Sequence, residues 1–212
     1  MIVSVITARG GSKEIPKKNI VDLNGKPLIY YSINASKNSC VDKTFVSTDD
    51  EEISNIALEY GISVIDRPSE LATDTTQSED VLLHFADMVD FDILVFIQPT
   101  SPLIKTEYIN RGVDMIQSGN YDSVFTTTKE HWIPRWDMNI KPVNWDITNR
   151  PLRQDKSELY IENGMFYITT RESLLSNKLR YGGKIGVVEI PLEDSFQVDT
   201  YEDLKLIRRI NG

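Results

Sequence analysis

The opening of the chain constrains its fold more than any other feature. Ile2 to Thr7 is almost entirely β-branched and apolar, and it runs straight into Arg9-Gly10-Gly11-Ser12-Lys13. An apolar run of this length suits a strand buried on both faces, as in a parallel sheet. A glycine-rich loop at the carboxyl end of such a strand is where open α/β sheets bind ligands. A helical pattern follows at Leu28 to Lys37, with Pro27 where a missing N–H does no harm. Strand, loop and helix in that order define the first unit of an α/β fold.

The alternation continues. Strands are expected at Thr44–Ser47, Ser63–Ile65, Ile93–Ile97 and Ser123–Thr128. Helices are expected at Glu51–Tyr60, Ser78–Val89 and Glu107–Ser118. Asp49 and Asp50, and further on Thr76, stand where N-caps belong, and Gly61 and Gly119 where helices stop. Such an order implies right-handed βαβ units and a largely parallel sheet. The pattern breaks after Thr128. Residues 131–150 show no clear period and hold Trp132, Trp136 and Trp145, which suits an excursion from the sheet with its tryptophans in a core or interface. A strand at Met165–Ile168, a short helix from Arg171, a strand at Ile185–Ile190 and a helix at Tyr201–Arg209 complete the chain, Thr200 and Asp203 resembling a capping box. No repeat or linker divides the 212 residues, so one domain is expected.

Charge excludes several functions. With 23 basic against 32 acidic residues the net charge is -9. Nucleic-acid phosphates and anionic membranes both require a basic face, so neither is an expected partner. One cysteine, Cys40, forbids an intramolecular disulfide, and two histidines are too few for a histidine-based metal cluster. The opening Met-Ile-Val-Ser-Val-Ile has no basic n-region, and no apolar run approaches the roughly 18 residues of a membrane helix. A reducing cytoplasm is the expected location.

The net charge is nevertheless an average. Residues 1–30 hold 5 cations against 2 acids, a local +3, whereas the remainder holds 18 against 30, or -12. Arg9, Lys13, Lys17 and Lys18 cluster in the loop, opposed only by Glu14. Glycines let backbone approach a phosphate, and successive N–H groups form an anion nest. The loop matches neither the Gly-x-x-x-x-Gly-Lys-Ser/Thr pattern nor the dinucleotide fingerprint, because Glu14 and Pro16 follow the glycines. A polyphosphate held on a positive patch is the reading the residues favour.

Several segments together resemble the cytidylyltransferases that activate sialic acids. They are Ala8 to Lys13 with Pro16 and Lys18-Asn19; Val46-Ser47-Thr48-Asp49; Arg67-Pro68-Ser69-Glu70-Leu71-Ala72; Gln98-Pro99-Thr100-Ser101-Pro102-Leu103; Arg153-Gln154-Asp155; Glu162-Asn163-Gly164; and Val198-Asp199-Thr200. The blocks are collinear with the family and span nearly the whole chain. The resemblance implies a Rossmann-like nucleotidyltransferase fold, with a mainly parallel sheet flanked by helices and a dimerisation excursion around 131–160. It implies transfer of CMP from CTP to the anomeric hydroxyl of a nine-carbon 2-keto sugar acid such as N-acetylneuraminic or legionaminic acid, with pyrophosphate released, Mg²⁺ as cofactor and a homodimer as the assembly.

Residue by residue, the resemblance assigns the nucleotide to Ala8, Arg9, Gly10, Gly11, Ser12, Lys13, Lys18, Asn19, Arg67 and Ala72. It assigns the sugar to Gln98, Thr100, Ser101, Arg153, Gln154, Asn163 and Gly164, and the metal to Asp199 and Gln197. Arg9, Lys18 and Gln98 are the catalytic candidates. Four positions depart from the family: Gln197 stands for a carboxylate, Ile104 for an arginine, Glu14 for a glycine, and Ile161 lies near a common arginine. Asp199 also suits the N-terminus of the last helix, and Asn163-Gly164 alone is a hairpin signal. Two alternatives stay open: a synthetase for the eight-carbon 3-deoxy-manno-octulosonate, and a nucleotide-binding module without catalysis.

Overall fold

The computed structural model describes residues 1–131, 133–152 and 158–210. Its strands are β1 (Ile2–Thr7), β2 (Asp22–Leu23), β3 (Lys26–Pro27), β4 (Lys43–Thr48), β5 (Ser63–Asp66), β6 (Ile93–Ile97), β7 (Ser123–Lys129), β8 (Tyr160–Thr170) and β9 (Ile185–Glu189). Its α-helices are α1 (Ile29–Lys37), α2 (Glu51–Glu59), α3 (Ser78–Met88), α4 (Thr106–Gln117), α5 (Arg171–Asn177) and α6 (Tyr201–Ile210). Seven strands form one sheet in the order β5-β4-β1-β6-β8-β7-β9, and β2 pairs with β3 apart from it. The strand and helix order expected from the sequence is present, as is the mainly parallel sheet.

Burial follows the alternation along each strand. Ile6, Val46, Val95, Ile97 and Ile168 face α1, α2 and α4, whereas Val3, Val5, Phe45, Leu94, Phe96 and Tyr167 face α3 and α5. A third cluster is small and local. Ile15, Leu23, Leu28, Leu103, Val198, Leu204 and Ile207 tie the glycine loop to α6. Burying such a side chain contributes roughly 1.5–3 kcal/mol. Ile15 is 1% exposed, so it anchors the loop in place.

Several expectations are corrected. Pro27 pairs with Asp22 in a hairpin, and α1 starts later, at Ile29. The hairpin turns at Asn24 (φ 51°) and Gly25 (φ 81°), the left-handed pair that an Asn-Gly dipeptide favours. Thr76 does not cap α3; the Gln77 N–H donates to the Asp80 carboxylate at 3.3 Å, while the Thr76 hydroxyl meets Thr73 and the Glu70 carbonyl. The largest difference is β8. It is longer than Met165–Ile168 and runs antiparallel to both β6 and β7. No helix between β7 and β8 among the described residues carries the chain back for a parallel crossover, so β8 returns alongside its predecessor. Asn163-Gly164 is no hairpin. It is a bulge inside β8, where pairing jumps from Phe125–Tyr167 to Thr127–Glu162.

Residues 133–150 leave the sheet. Trp136 and Trp145 pack edge-to-face with centroids 5.0 Å apart, outside the three buried clusters. Trp132 lies outside the described residues.

Candidate active site

The strand order reverses between β1 and its neighbours β4 and β6, a switch point that opens a crevice at the carboxyl ends of strands. A cleft of about 600 Å³ occupies this place. Arg9, Ser12, Lys13, Glu14, Lys18 and Asn19 line it from the loop after β1. Gln98, Pro99 and Thr100 line it from the end of β6, Gln197 and Asp199 from the segment before α6, and Arg67 from beyond β5.

Local forces set the loop. The Ala8 N–H donates to the Ser47 carbonyl (3.0 Å), prolonging the β1–β4 ladder, and Ala8 itself is fully buried. Gly10 is forced by its surroundings: a Cβ there would stand 2.6 Å from Asp50 Oδ2. Its N–H is taken by Asp49 Oδ1 at 3.0 Å, so this amide serves the fold rather than a free nest. Around Gly11 there is open space. Lys17 adopts φ 52° and begins a tight turn over Lys18–Ile20. That turn buries Asn19, whose Nδ2 donates to the Arg9 carbonyl at 2.9 Å. Lys17 departs from the cluster, pairing with Glu52 on α2 and not lining the cleft.

Each remaining loop cation holds a carboxylate of the protein. The Arg9 guanidinium donates to the Thr73 carbonyl (2.6 Å) and to Asp74 Oδ1 (2.9 Å), and Lys13 Nζ lies 2.8 Å from Asp74 Oδ2. The Lys13 ammonium holds the Asp74 carboxyl below the usual carboxylate range; burial opposes it, and Arg9 adds a smaller lowering effect. Lys18 Nζ lies 2.8 Å from Asp199 Oδ1, with the lysine side chain 19% exposed and the aspartate 60%. Arg67 is buried and gives Nε to Ser47 Oγ (3.1 Å) and a terminal nitrogen to the Ser47 carbonyl (2.5 Å). Burial lowers its pKa to about 10, which Arg9 reinforces and Asp49 opposes.

Asp199 apart, the lining from the end of β6 and the segment before α6 is neutral. Gln98 N–H donates to the Met165 carbonyl at 3.1 Å, and Val198 N–H to the Thr100 carbonyl at 2.7 Å, which joins β6, β8 and the segment before α6. Gly164 takes φ 71°, and a Cβ on it would lie 2.7 Å from Gln197 Nε2 and 3.0 Å from Gln98 Oε1. The Gln197 amide donates to the Asn163 carbonyl. Asn163 Oδ1 accepts from Thr126 Oγ1 at 2.6 Å, while its buried Nδ2 has no partner among the described residues.

Most of the residues singled out in the sequence therefore converge. Arg9, Ser12, Lys13, Lys18, Asn19, Arg67, Gln98, Thr100, Gln197 and Asp199 line the cleft; Asn163 and Gly164 stand directly behind Gln98 and Gln197. Ala8, Gly10, Gly11, Ala72 and Ser101 do not line it. Arg153 and Gln154 lie outside the described residues. The two readings of Asp199 separate cleanly. Asp203 Oδ2 accepts from the Thr200 N–H (2.8 Å) and hydroxyl (2.9 Å) and from the Asp199 N–H (3.1 Å), so Thr200 and Asp203 close the start of α6. The Asp199 carboxylate is left to the cleft and Lys18.

Sequence reasoning missed one wall. Thr73, Asp74, Thr76, Gln77 and Val81 line the cleft from the segment that enters α3. The available signal was topological: a polar run following β5, the strand beside β4, opens at the same end of the sheet as the glycine loop.

Among the described residues no group of three or more His, Cys, Asp or Glu side chains could hold a metal ion by itself. Mg²⁺ commonly binds through one or two carboxylates together with substrate phosphates. The half-exposed Asp199 carboxylate beside the loop cations fits that donor set, whereas Gln197 commits its amide nitrogen to β8. Among the described residues no helix is long and apolar enough to cross a membrane.

Known proteins give the site a context. Residues 3–210 match the family model described as Cytidylyltransferase. The chain is 38% identical over 207 residues to N-acylneuraminate cytidylyltransferase A of Danio rerio, covering 93% of this chain and 48% of that one. It thus spans about half the length of that relative. It is 34% identical to the CMP-N,N'-diacetyllegionaminic acid synthase of Legionella pneumophila, covering 99% of this chain and 95% of the relative. In structure it is similar to CMP:2-keto-3-deoxy-manno-octonic acid synthetase complexed with CTP. There the TM-score is 0.75 at 19% identity, over 99% of this chain and 98% of that one, a likeness of fold alone.

Proposed function

The chain belongs to the cytidylyltransferase family, and from that premise we propose that it transfers CMP from CTP to the anomeric hydroxyl of a nine-carbon 2-keto sugar acid. The observation that carries this reading is the division of one cleft into a cationic wall and a wall of neutral amides. Arg9, Lys13 and Lys18 line the same cleft as Gln98 and Gln197, the space a nucleotide triphosphate and a sugar would share. Relatives named for acylneuraminate and diacetyllegionaminate transfer support the acceptor class. The eight-carbon alternative has only a likeness of fold behind it.

In the proposed reaction the triphosphate replaces Asp74 as the partner of Arg9 and Lys13. The acceptor's anomeric oxygen attacks the α-phosphorus in line. A new P–O bond forms, the bond to the bridging oxygen breaks, and pyrophosphate leaves with the electron pair while the hydroxyl proton passes to solvent. Such chemistry depends on positioning and on fixed charge where charge develops. Lys18 is the residue best held for this, anchored by the turn at Lys17 and by Asn19 beside it. Ser12 and Asn19 add neutral hydrogen-bonding groups near the phosphates. Gln98, Thr100, Asn163 and Gly164 orient the sugar. Mg²⁺, held by Asp199 and phosphate oxygens, supplies further neutralisation of the triphosphate when bound.

The proposal extends to assembly. Ile133, Trp136, Met138, Ile140, Val143, Ile147 and Leu152 are all exposed on the excursion, with Met138 97% exposed. A second copy of the chain covering this stretch makes a homodimer, and a single monomeric species by sedimentation at micromolar concentration contradicts it. For the reaction, purified protein is given CTP, Mg²⁺ and a panel of eight- and nine-carbon 2-keto sugar acids, with UTP as control. Pyrophosphate release with CTP and a nine-carbon acid is expected. Release with the eight-carbon acid alone, or CTP binding with no release in any mixture, refutes the reading.

A further inference from the structure

Arg180 lies in the segment between α5 and β9, outside the residues that line the cleft, yet it is one of the best-held cations of the protein. Its Nε donates to Glu79 Oε1 at 2.6 Å and a terminal nitrogen to Glu79 Oε2 at 3.0 Å, a two-point pair with both side chains less than one-fifth exposed. A forked contact of this kind fixes orientation as well as distance. The guanidinium also stands over the rings of Tyr167 (4.9 Å) and Phe96 (5.6 Å). The Tyr167 hydroxyl in turn donates to Glu162.

Each partner leads to a different wall. Glu79 is the second residue of α3, directly after the Thr73–Ser78 run that holds Arg9 and Lys13 through Asp74. Glu162 immediately precedes Asn163-Gly164, the bulge against which Gln98 and Gln197 pack. Phe96 lies on β6 two residues before Gln98. One guanidinium therefore touches the supports of both walls.

We infer that Arg180 is a positioning residue that sets the spacing between the nucleotide wall and the acceptor wall of the cleft, through Glu79 on one side and Tyr167–Glu162 on the other. This rests on the proposed reaction for its kinetic consequences only. A wall that loosens holds its own substrate less well, which raises the KM for that substrate. Loss of Arg180 loosens both walls, whereas loss of one partner loosens one.

The test combines kinetics with hydrogen exchange. In Arg180→Met, KM for CTP and KM for the acceptor both rise about tenfold. Glu79→Gln raises chiefly the KM for CTP, and Tyr167→Phe chiefly that for the acceptor. Arg180→Lys, which keeps the charge and loses the fork, falls between wild type and Arg180→Met, and stands in for it should the methionine variant not fold. A lowered kcat with both KM values unchanged marks a merely structural role and overturns the inference. Amide exchange in the protein without substrates decides it separately from any reaction. Arg180→Met or Arg180→Lys speeds exchange in residues 73–81 and 162–166 while β1 and β4 stay protected. Uniform acceleration, or none at 162–166, overturns the inference even if turnover is normal; an inert wild type speaks against the proposed reaction alone.

Discussion

The two walls of the cleft are built by different means. The nucleotide wall is charged and local: Arg9, Lys13, Lys18 and Asn19 all lie within one loop after β1, braced by Ile15 beneath it. The acceptor wall is neutral and assembled from afar: Gln98, Asn163-Gly164 and Gln197 meet only because β8 runs antiparallel beside β6 and bulges at that point. In the proposed reaction the charged wall would gather the triphosphate and the amide wall would read the shape of the sugar. The comparison teaches that the two substrates answer to different defects. A lost charge should weaken one wall, and a displaced backbone the other.

The largest effect should come from the charged wall. Lys18→Ala is expected to lower turnover by about 10²–10³, the usual loss for one fixed stabilising group. Pyrophosphate release measures this, with circular dichroism showing a retained fold. Near-normal activity would break the comparison at its stronger side.

Next comes the acceptor wall. Gly164→Ala places a Cβ 2.7 Å from Gln197 Nε2 at φ 71°. It should raise KM for the acceptor by about 10- to 100-fold and lower stability by about 1–3 kcal/mol. KM for CTP should stay within about twofold, well under the tenfold that 1.4 kcal/mol represents. Equal rises in both KM values would show the walls to be less independent than their construction suggests.

A third prediction divides the two glycines of the loop. Gly10→Ala meets Asp50 and should cost about 1–3 kcal/mol in urea denaturation, whereas Gly11→Ala projects into open space and should lie within about 0.5 kcal/mol of wild type. Adjacent glycines in one motif thus have separate reasons to exist.

The smallest effect is a pH dependence. The Arg180 guanidinium holds the Glu79 carboxyl below its ordinary value, burial opposing. A carboxyl whose pKa is depressed by folding gives stability that is present above the unfolded value, about 4.3, and lost as pH falls through the folded one. Glu79→Gln should therefore flatten the loss of stability as pH falls below about 4.3. Denaturation midpoints between about pH 3 and 6 check it.

The same contrast explains what the sequence revealed. The strand-loop-helix order and the cationic loop are local patterns, so β1, the alternation to β7 and most of the nucleotide wall were legible. Asp199 was legible as a residue but ambiguous in role until Thr200 and Asp203 were seen to close α6. The direction of β8 was not legible, because its apolar run reads alike in either orientation and only the absence of a crossover helix among the described residues decides it. Asn163-Gly164 carried a true local signal for left-handed backbone at Gly164, but tertiary pairing turned it into a bulge rather than a hairpin. Asp74 and its neighbours were missed because a Thr-rich loop has no motif; only its place beside β4 gives it a meaning.

Backbone amide signals of isotope-labelled protein test most directly whether one cleft holds the nucleotide and the acceptor on separate walls. Added CTP and Mg²⁺ should move the signals of Arg9–Asn19 and Thr73–Gln77 and leave Asn163 and Gly164 nearly still, until a nine-carbon 2-keto sugar acid is added. If CTP instead moves Asn163 and Gly164 while Arg9–Asn19 stays unchanged, the account of this cleft is wrong.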